Sequence, residues 1–231
     1  MSVYYIDNDP IFPPVEFSNE DGILAVGGDL SPGRLIEAYT NGIFPWYSSE
    51  TPILWWSPDP RFVIYPGGVK VSKSMRQVLR RNIFDIRYDT SFRDVITACS
   101  GERKHEKGTW ITPEMIEAYI TLHNLGLAHS IEAWHDGKLA GGLYGVSIGK
   151  MFFGESMFSF ESNASKAAFI VLADNLAKLG FDLIDSQVYT RHMESLGAFD
   201  MDRKSFIKIV KKSVKKETIC GNWGRLGEFS G

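Results

Sequence analysis

Residues 128–158 read AHSIEAWHDGKLAGGLYGVSIGKMFFGESMF, and the period of this stretch decides the fold. From Ala128 the period changes to two through AHSIEAW, as in a strand. HDGK then supplies a turn, because Asp-Gly accepts the positive φ that a tight hairpin requires. LAGGLYGVSIGKMFFGESMF continues with a period of two, broken by glycine-containing turns. The stretch is therefore predicted to be a meander of antiparallel strands at the centre of a sheet.

Helices surround it. Downstream, SNASKAAFIVLADNLAKLG has helical spacing from a cap near Ser162 or Asn163 to Gly180, and FDLIDSQV reads as the strand after it, a crossover pair. DRKSFIKIVKKSVKK puts Phe206, Ile209 and Val210 on one helix face opposite basic residues. Upstream, VSKSMRQVLRR, SFRDVITAC and TPEMIEAYITLHNLG are helical, the last capped by Thr112 with Pro113 in its first turn. SPGRLIEAYTNG is a short helix with a Ser cap, Pro at its first position and Gly past its end. After it comes a loop rich in Pro and aromatics, with strands near 53–57 and 61–65. No internal repeat is present. The Pro-rich run divides the chain into a small N-terminal domain, 1–62, and a larger domain, 63–231. The expected class is mixed α+β, with helices covering a mostly antiparallel sheet.

A chain of 231 residues, 44% hydrophobic and 23% charged, has globular composition, which excludes disordered and low-complexity classes. A net charge of −3 rules out a globally basic nucleic-acid coat and directs attention to local patches. The two cysteines, Cys99 and Cys220, have no CxxC or metal spacing and suit a reducing cytoplasm. MSVYYIDNDPIFPP lacks the basic start and apolar run of a signal peptide, and no stretch reaches the apolar length of a membrane span. The expectation is a cytoplasmic protein with no membrane partner. Six tryptophans, three of them within residues 46–56, imply a packed core or a stacking surface.

Several motifs carry chemistry. Gly145-Val-Ser-Ile-Gly149 matches the hydrolase string GxSxG, with Asp185 and His192 downstream of Ser147. That elbow needs a helix after the serine, whereas KMFFGE reads as a strand, so a hairpin turn is the better account. Metal-ligand spacings and the phosphate-binding strings GxGxxG and GxxxxGK[ST] are absent. Residues 69–81 hold five basic residues and no acid, with Lys73, Arg76 and Arg80 at helical spacing, and residues 203–216 hold seven more with no acid. A solvated face accounts for either stripe alone. Two stripes in an acidic chain favour a polyanion partner of tRNA size. Asp185 and Gln187 alternate in LIDSQV, which places both side chains on one strand face about 6.6 Å apart, able to act on one ligand. A buried structural carboxylate is the alternative at Asp185. Gly154 and Glu155 sit inside the aromatic strand FFGESMF, where glycine signals a bulge or a close approach by ligand.

These residues resemble the leucyl/phenylalanyl-tRNA–protein transferase family. The shared strings are GGDLSPGRLIEAYTNGIFPW, ILWWSPDPR, GTWIT, HSIE, GGLYGV, FGESMF, NASK, LIDSQ and SLGA, covering about residues 20–200. The resemblance implies a small N-terminal domain and a larger acetyltransferase-like (GNAT) domain that uses aminoacyl-tRNA in place of acetyl-CoA, with no soluble cofactor. It implies transfer of Leu or Phe, and Met to a lesser extent, to proteins with N-terminal Arg or Lys, marking them for N-degron degradation. Trp46 and Trp110 match the tryptophans that hold the terminal adenosine, and tryptophan suits base stacking. The side-chain pocket corresponds to Leu143, Phe152, Met157, Phe169 and Ile184, with Leu143 in place of a Met. The catalytic Asp and Gln fall on Asp185 and Gln187, with Gly154 and Glu155 contacting substrate and Lys73, Arg76 and Arg80 offered to the tRNA. Two rivals remain. An N-acetyltransferase would need a pyrophosphate loop, whose glycines ESNASKAAF lacks, and a non-catalytic RNA-binding module leaves Asp185 and Gln187 unexplained.

Overall fold

Helix starts in this chain are written in short polar caps. In the computed structural model, which describes residues 3–7, 9–101 and 111–224, Thr112 Oγ1 accepts the Met115 N–H at 3.3 Å and Ser72 Oγ accepts that of Met75 at 3.2 Å. Each bond satisfies a donor that the first helical turn leaves free. The elements run β1 (Tyr4–Ile6), β2 (Ile23–Gly27), α1 (Pro32–Thr40), β3 (Phe44–Pro45), β4 (Leu54–Trp56), β5 (Arg61–Ile64), α2 (Lys73–Arg80), β6 (Asp85–Tyr88), α3 (Phe92–Ser100), α4 (Pro113–Asn124), β7 (Ala128–His135), β8 (Lys138–Ile148), β9 (Met151–Ser159), α5 (Ala164–Lys178), β10 (Leu183–Asp185), α6 (Arg191–Ser195), β11 (Phe199–Met201) and α7 (Arg203–Ser213).

Two sheets result. The small one has the order β1-β2-β4-β3, and the large one β11-β5-β10-β9-β8-β7-β6. The large sheet is antiparallel except where β10 lies parallel to β9, the two being joined across α5. The predicted meander is its centre: β7 pairs β8 from Ala128 to His135, and β8 pairs β9 through the turn at Gly149. Ser147 lies within β8 and is fully buried, so the hydrolase-elbow reading is excluded by backbone geometry. Helices cover both faces. One face packs Ile131, Leu143, Phe152 and Ile184 with α5 through Ala168, Phe169 and Leu172. On the other, Tyr144 and Phe153 join Phe92, Tyr119 and Phe206, and that cluster continues into Leu24 and Trp55 of the small sheet and Leu35 of α1.

Three local expectations are corrected. Asn163 precedes α5 in the left-handed region (φ 73°) and makes no side-chain cap. β10 ends at Asp185, so the period of two does not extend to Gln187, whose φ of 64° is also left-handed. β1, β2, β3, β6 and β11 are strands that the sequence pattern did not signal.

Candidate active site

The parallel neighbours β9 and β10 open a pocket of about 350 Å³ on the α5 side of the sheet. Leu143, Phe152, Gly154, Glu155, Met157, Phe169 and Ile184 all line it, and Ser186, Thr190 and His192 close its polar side. The fold thus brings together, from β8, β9, α5 and β10, the seven residues for which the family resemblance implies a side-chain pocket and substrate contacts. A β-bulge does follow the glycine of FFGESMF. Between β8 and β9 the register passes from Tyr144↔Ser156 to Gly145↔Gly154, leaving Glu155 as the extra residue of a β-bulge. Such a bulge breaks the regular alternation and re-aims a side chain.

Glu155 is turned into a buried polar cluster. Its Oε1 lies 2.8 Å from Tyr39 Oη and its Oε2 2.8 Å from Tyr119 Oη, while the two tyrosine oxygens are 2.5 Å apart. Gln187 Nε2 also donates to Oε1 at 2.8 Å. Both phenols donate to the Glu155 carboxyl, Tyr39 to Oε1 and Tyr119 to Oε2. Burial raises its carboxyl to about 7, with the nearby Asp185 charge adding to the rise and the hydrogen bonds from Tyr39, Tyr119 and Gln187 opposing it. Burial and the Glu155 charge push both phenols well above their ordinary value, so they remain neutral donors.

A stability prediction follows from the sign of that shift. An acid whose pKa is raised in the folded state contributes stability that is fully present below its unfolded value near 4.5 and lost as pH rises through about 7. Glutamine at this position keeps one donor and one acceptor but cannot titrate. From pH 5 to pH 8 the wild type is expected to lose about 2–3 kcal/mol relative to Glu155→Gln in urea unfolding. Parallel pH profiles for the two proteins would contradict a carboxyl raised by burial.

Asp185 has a different setting from the one expected. Its Oδ1 accepts the Arg61 Nε–H at 2.8 Å and its Oδ2 accepts Nη2–H at 2.6 Å, a bidentate pair with both side chains buried. Oδ1 also accepts the Gln187 backbone N–H at 2.8 Å. Asp185 and Gln187 do meet, but through a loop contact and not as neighbours on one strand face. The Arg61 guanidinium sits between the rings of Phe44 and Phe206, 4.6 and 4.7 Å from their centroids, which ties β3, β5, β10 and α7 together. Sequence reasoning missed Arg61, Tyr39 and Tyr119. An arginine at the head of the apolar strand RFVI was the available signal for the first.

Other predicted residues lie elsewhere. Trp46 follows β3 directly and is 37% exposed. Its ring lies 5.4 Å from that of Trp56, its carbonyl accepts the Trp56 indole N–H at 2.6 Å, and it does not line the pocket. Trp110 is outside the described residues. Lys73, Arg76 and Arg80 form an exposed stripe along α2, where Arg76 Nε and Nη2 donate to the Val71 carbonyl. A larger crevice of about 630 Å³ opens beside α2, between Val71, Phe84, Ile170 and Asp174, and contains no member of the Glu155–Gln187 cluster. Among the described residues no cluster of His, Cys, Asp and Glu has the make-up of a metal site, and no helix is long and apolar enough to cross a membrane.

The family model for leucyl/phenylalanyl-tRNA protein transferase matches residues 63–211, and the model for that family's N-terminal domain matches residues 28–59. A leucyl/phenylalanyl-tRNA–protein transferase of Syntrophus aciditrophicus is 58% identical over 214 residues, 92% of this chain and 90% of the relative. One from Myxococcus xanthus is 50% identical over 226 residues, 96% of this chain and 97% of the relative. Among solved structures, a GCN5-related N-acetyltransferase from Kribbella flavida superposes with a TM-score of 0.38 at 10% identity, over 74% of this chain and 61% of that one. With family models matching both parts of the chain and relatives 50–58% identical over more than nine-tenths of it, the chain belongs to the leucyl/phenylalanyl-tRNA protein transferase family.

Proposed function

We propose that the pocket between β9 and β10 receives the side chain of leucyl- or phenylalanyl-tRNA, and of methionyl-tRNA less well, and that Gln187 at its edge guides the attacking amine. As a member of this family the chain is an aminoacyltransferase. The observation that carries the finer reading is the adjacency of an apolar pocket to a fixed chain of polar contacts, Arg61–Asp185–Gln187–Glu155. The acceptors are proteins with N-terminal Arg or Lys, marked thereby for N-degron degradation in the bacterial cytoplasm, as the family implies.

The donor is an activated ester and the nucleophile an α-amine with a reference pKa of about 7.7–8.0, partly unprotonated at neutral pH. Little acid–base help is required. The amine nitrogen bonds to the ester carbon, the bond from that carbon to the terminal ribose oxygen breaks, and the amine's proton ends on the departing hydroxyl. Holding the two reactants in attack geometry can contribute about 7–11 kcal/mol. Gln187 commits its amide nitrogen to Glu155, which leaves its carbonyl oxygen to accept an N–H of the amine. In this reading Gln187 touches the reacting atoms, and Asp185 is a positioning residue that holds the Gln187 backbone. The terminal adenosine stacks on Trp46 and Trp110 while Lys73, Arg76 and Arg80 take the phosphate backbone.

The test is to offer the protein labelled Leu-tRNA, acetyl-CoA and an Arg-initiated peptide together. Leucine on the peptide N-terminus is the expected product; acetylation, or RNA binding with no transfer, would overturn the reading. The basic stripe is tested separately. Changing Lys73, Arg76 and Arg80 to Ala is expected to weaken full-length aminoacyl-tRNA and flatten its log–log salt dependence by about 2–3, while an aminoacyl-adenosine analogue binds as before. Equal loss of both ligands would return α2 to a structural role.

A further inference from the structure

Residues 214–224 cross the end of the large sheet as a strap, and the chain beneath is shaped to take them. Gly126 and Gly149 occupy positive-φ turns at 74° and 59°; a Cβ on Gly126 would come within 2.2 Å of Gly221 N in the strap, and one on Gly149 within 2.1 Å of Ser213 O at the end of α7 and 2.7 Å of Val214 Cα where the strap begins. The Gly149 N–H donates to Thr218 Oγ1 at 2.8 Å, and Gly221 N–H to the Gly126 carbonyl at 3.2 Å. Near its end the strap buries Trp223 to 1% exposure. The Trp223 backbone N–H is held by Asp89 Oδ2 at 2.7 Å and its indole N–H by the Ile219 carbonyl at 3.0 Å.

The indole stacks on His129 at 3.7 Å and 8°. It also lies 6.1 Å from the ring of Phe152. Phe152 lines the pocket; Trp223 does not. The tip of the Phe152 ring presses on the backbone of Gly145, where a Cβ would come within 2.6 Å of Cζ. Phe152 thus has no free travel at its tip and the indole against it from outside the pocket. In a close-packed interior such a wall moves only when its backing moves.

We propose that Trp223 is a specificity-determining residue, setting the depth of the donor side-chain pocket through Phe152. This rests on the reading of that pocket given above. A smaller residue at 223 lets Phe152 recede, enlarging the pocket and favouring the bulkier Phe donor over Leu.

The test compares kcat/KM for Leu-tRNA and Phe-tRNA with an Arg-initiated peptide in wild type, Trp223→Leu, Phe152→Leu and the double variant. Trp223→Leu is expected to raise the Phe-to-Leu ratio about fivefold or more, the scale on which a hydrophobic pocket discriminates small volume differences. In the Phe152→Leu background the same substitution is expected to change the ratio less than about twofold, since the element it acts through is gone. An unmoved ratio in Trp223→Leu overturns the proposal, as does an equal shift in both backgrounds. Should Trp223→Leu not fold, Trp223→Phe carries the same expectation at about two- to threefold, and an unchanged ratio there is equally decisive. A wild type that transfers neither Leu nor Phe removes the pocket reading itself, an outcome distinct from active transfer with an unmoved ratio.

Discussion

Arg61→Leu is expected to destabilise the fold by about 3–5 kcal/mol, because it leaves the fully buried Asp185 carboxylate without its counter-charge. The guanidinium satisfies both carboxylate oxygens and fills the space between the Phe44 and Phe206 rings. Leucine can replace part of the packing and none of the charge. Lysine keeps the charge but cannot present two parallel N–H groups, so Arg61→Lys is expected to fall between the two. Transfer activity should suffer beyond the loss of folded protein, since Asp185 Oδ1 also anchors the Gln187 backbone. Adding Asp185→Leu removes the orphaned charge, and the double variant should recover most of the stability while remaining inactive, as replacing a buried pair by apolar residues is often neutral. Urea unfolding and peptide transfer measured on all four proteins decide the matter. A loss under about 1 kcal/mol for Arg61→Leu would mean that Asp185 is protonated or hydrated without it, and the pair would lose its assigned role.

What the sequence revealed and what it concealed divide along the range of the interactions. Local signals were legible. The period of two across residues 128–158, the Thr112 cap and the spacing of SNASKAAFIVLADNLAKLG gave the central strands and covering helices, because each depends on residues a few positions apart. The pocket residues were named from family strings, and the geometry that assembles them from β8, β9, α5 and β10 lies in strand pairing that no local pattern encodes. β6 illustrates the same limit: Asp85–Tyr88 is strand only because it pairs with Ile131–Trp134 of β7, and its charged edge carries no clean alternation. β3 is two residues ending in Pro45, which an edge position tolerates. Arg61 was hidden for a further reason. A charged residue in sequence reads as exposed, and only a partner 124 positions away makes its burial intelligible. The left-handed backbone at Gln187 was equally invisible, since glutamine is not a residue that advertises positive φ.

That backbone makes the catalytic assignment separable from a structural one. Gln187→Ala is expected to lower kcat for transfer about 100-fold, the lower end of what one positioned transition-state contact contributes, with binding of an aminoacyl-adenosine analogue unchanged within about twofold. Alanine at φ 64° retains the steric cost of roughly 1–2 kcal/mol that any non-glycine residue meets there. Gln187→Gly relieves that cost and keeps the backbone N–H that Asp185 Oδ1 accepts. If the side-chain oxygen guides the amine, the glycine variant should be as inactive as alanine despite its easier backbone. If the loop conformation alone matters, both variants should transfer, since alanine meets only the backbone cost that glutamine already bears and glycine meets less. Both substitutions also take one donor from Glu155 Oε1, leaving the two tyrosines to hold the carboxyl; the Glu155→Gln variant measures that contribution by itself. Transfer within about threefold of wild type in both Gln187 variants would remove Gln187 from the reaction, leaving the pocket to act by binding and orientation alone.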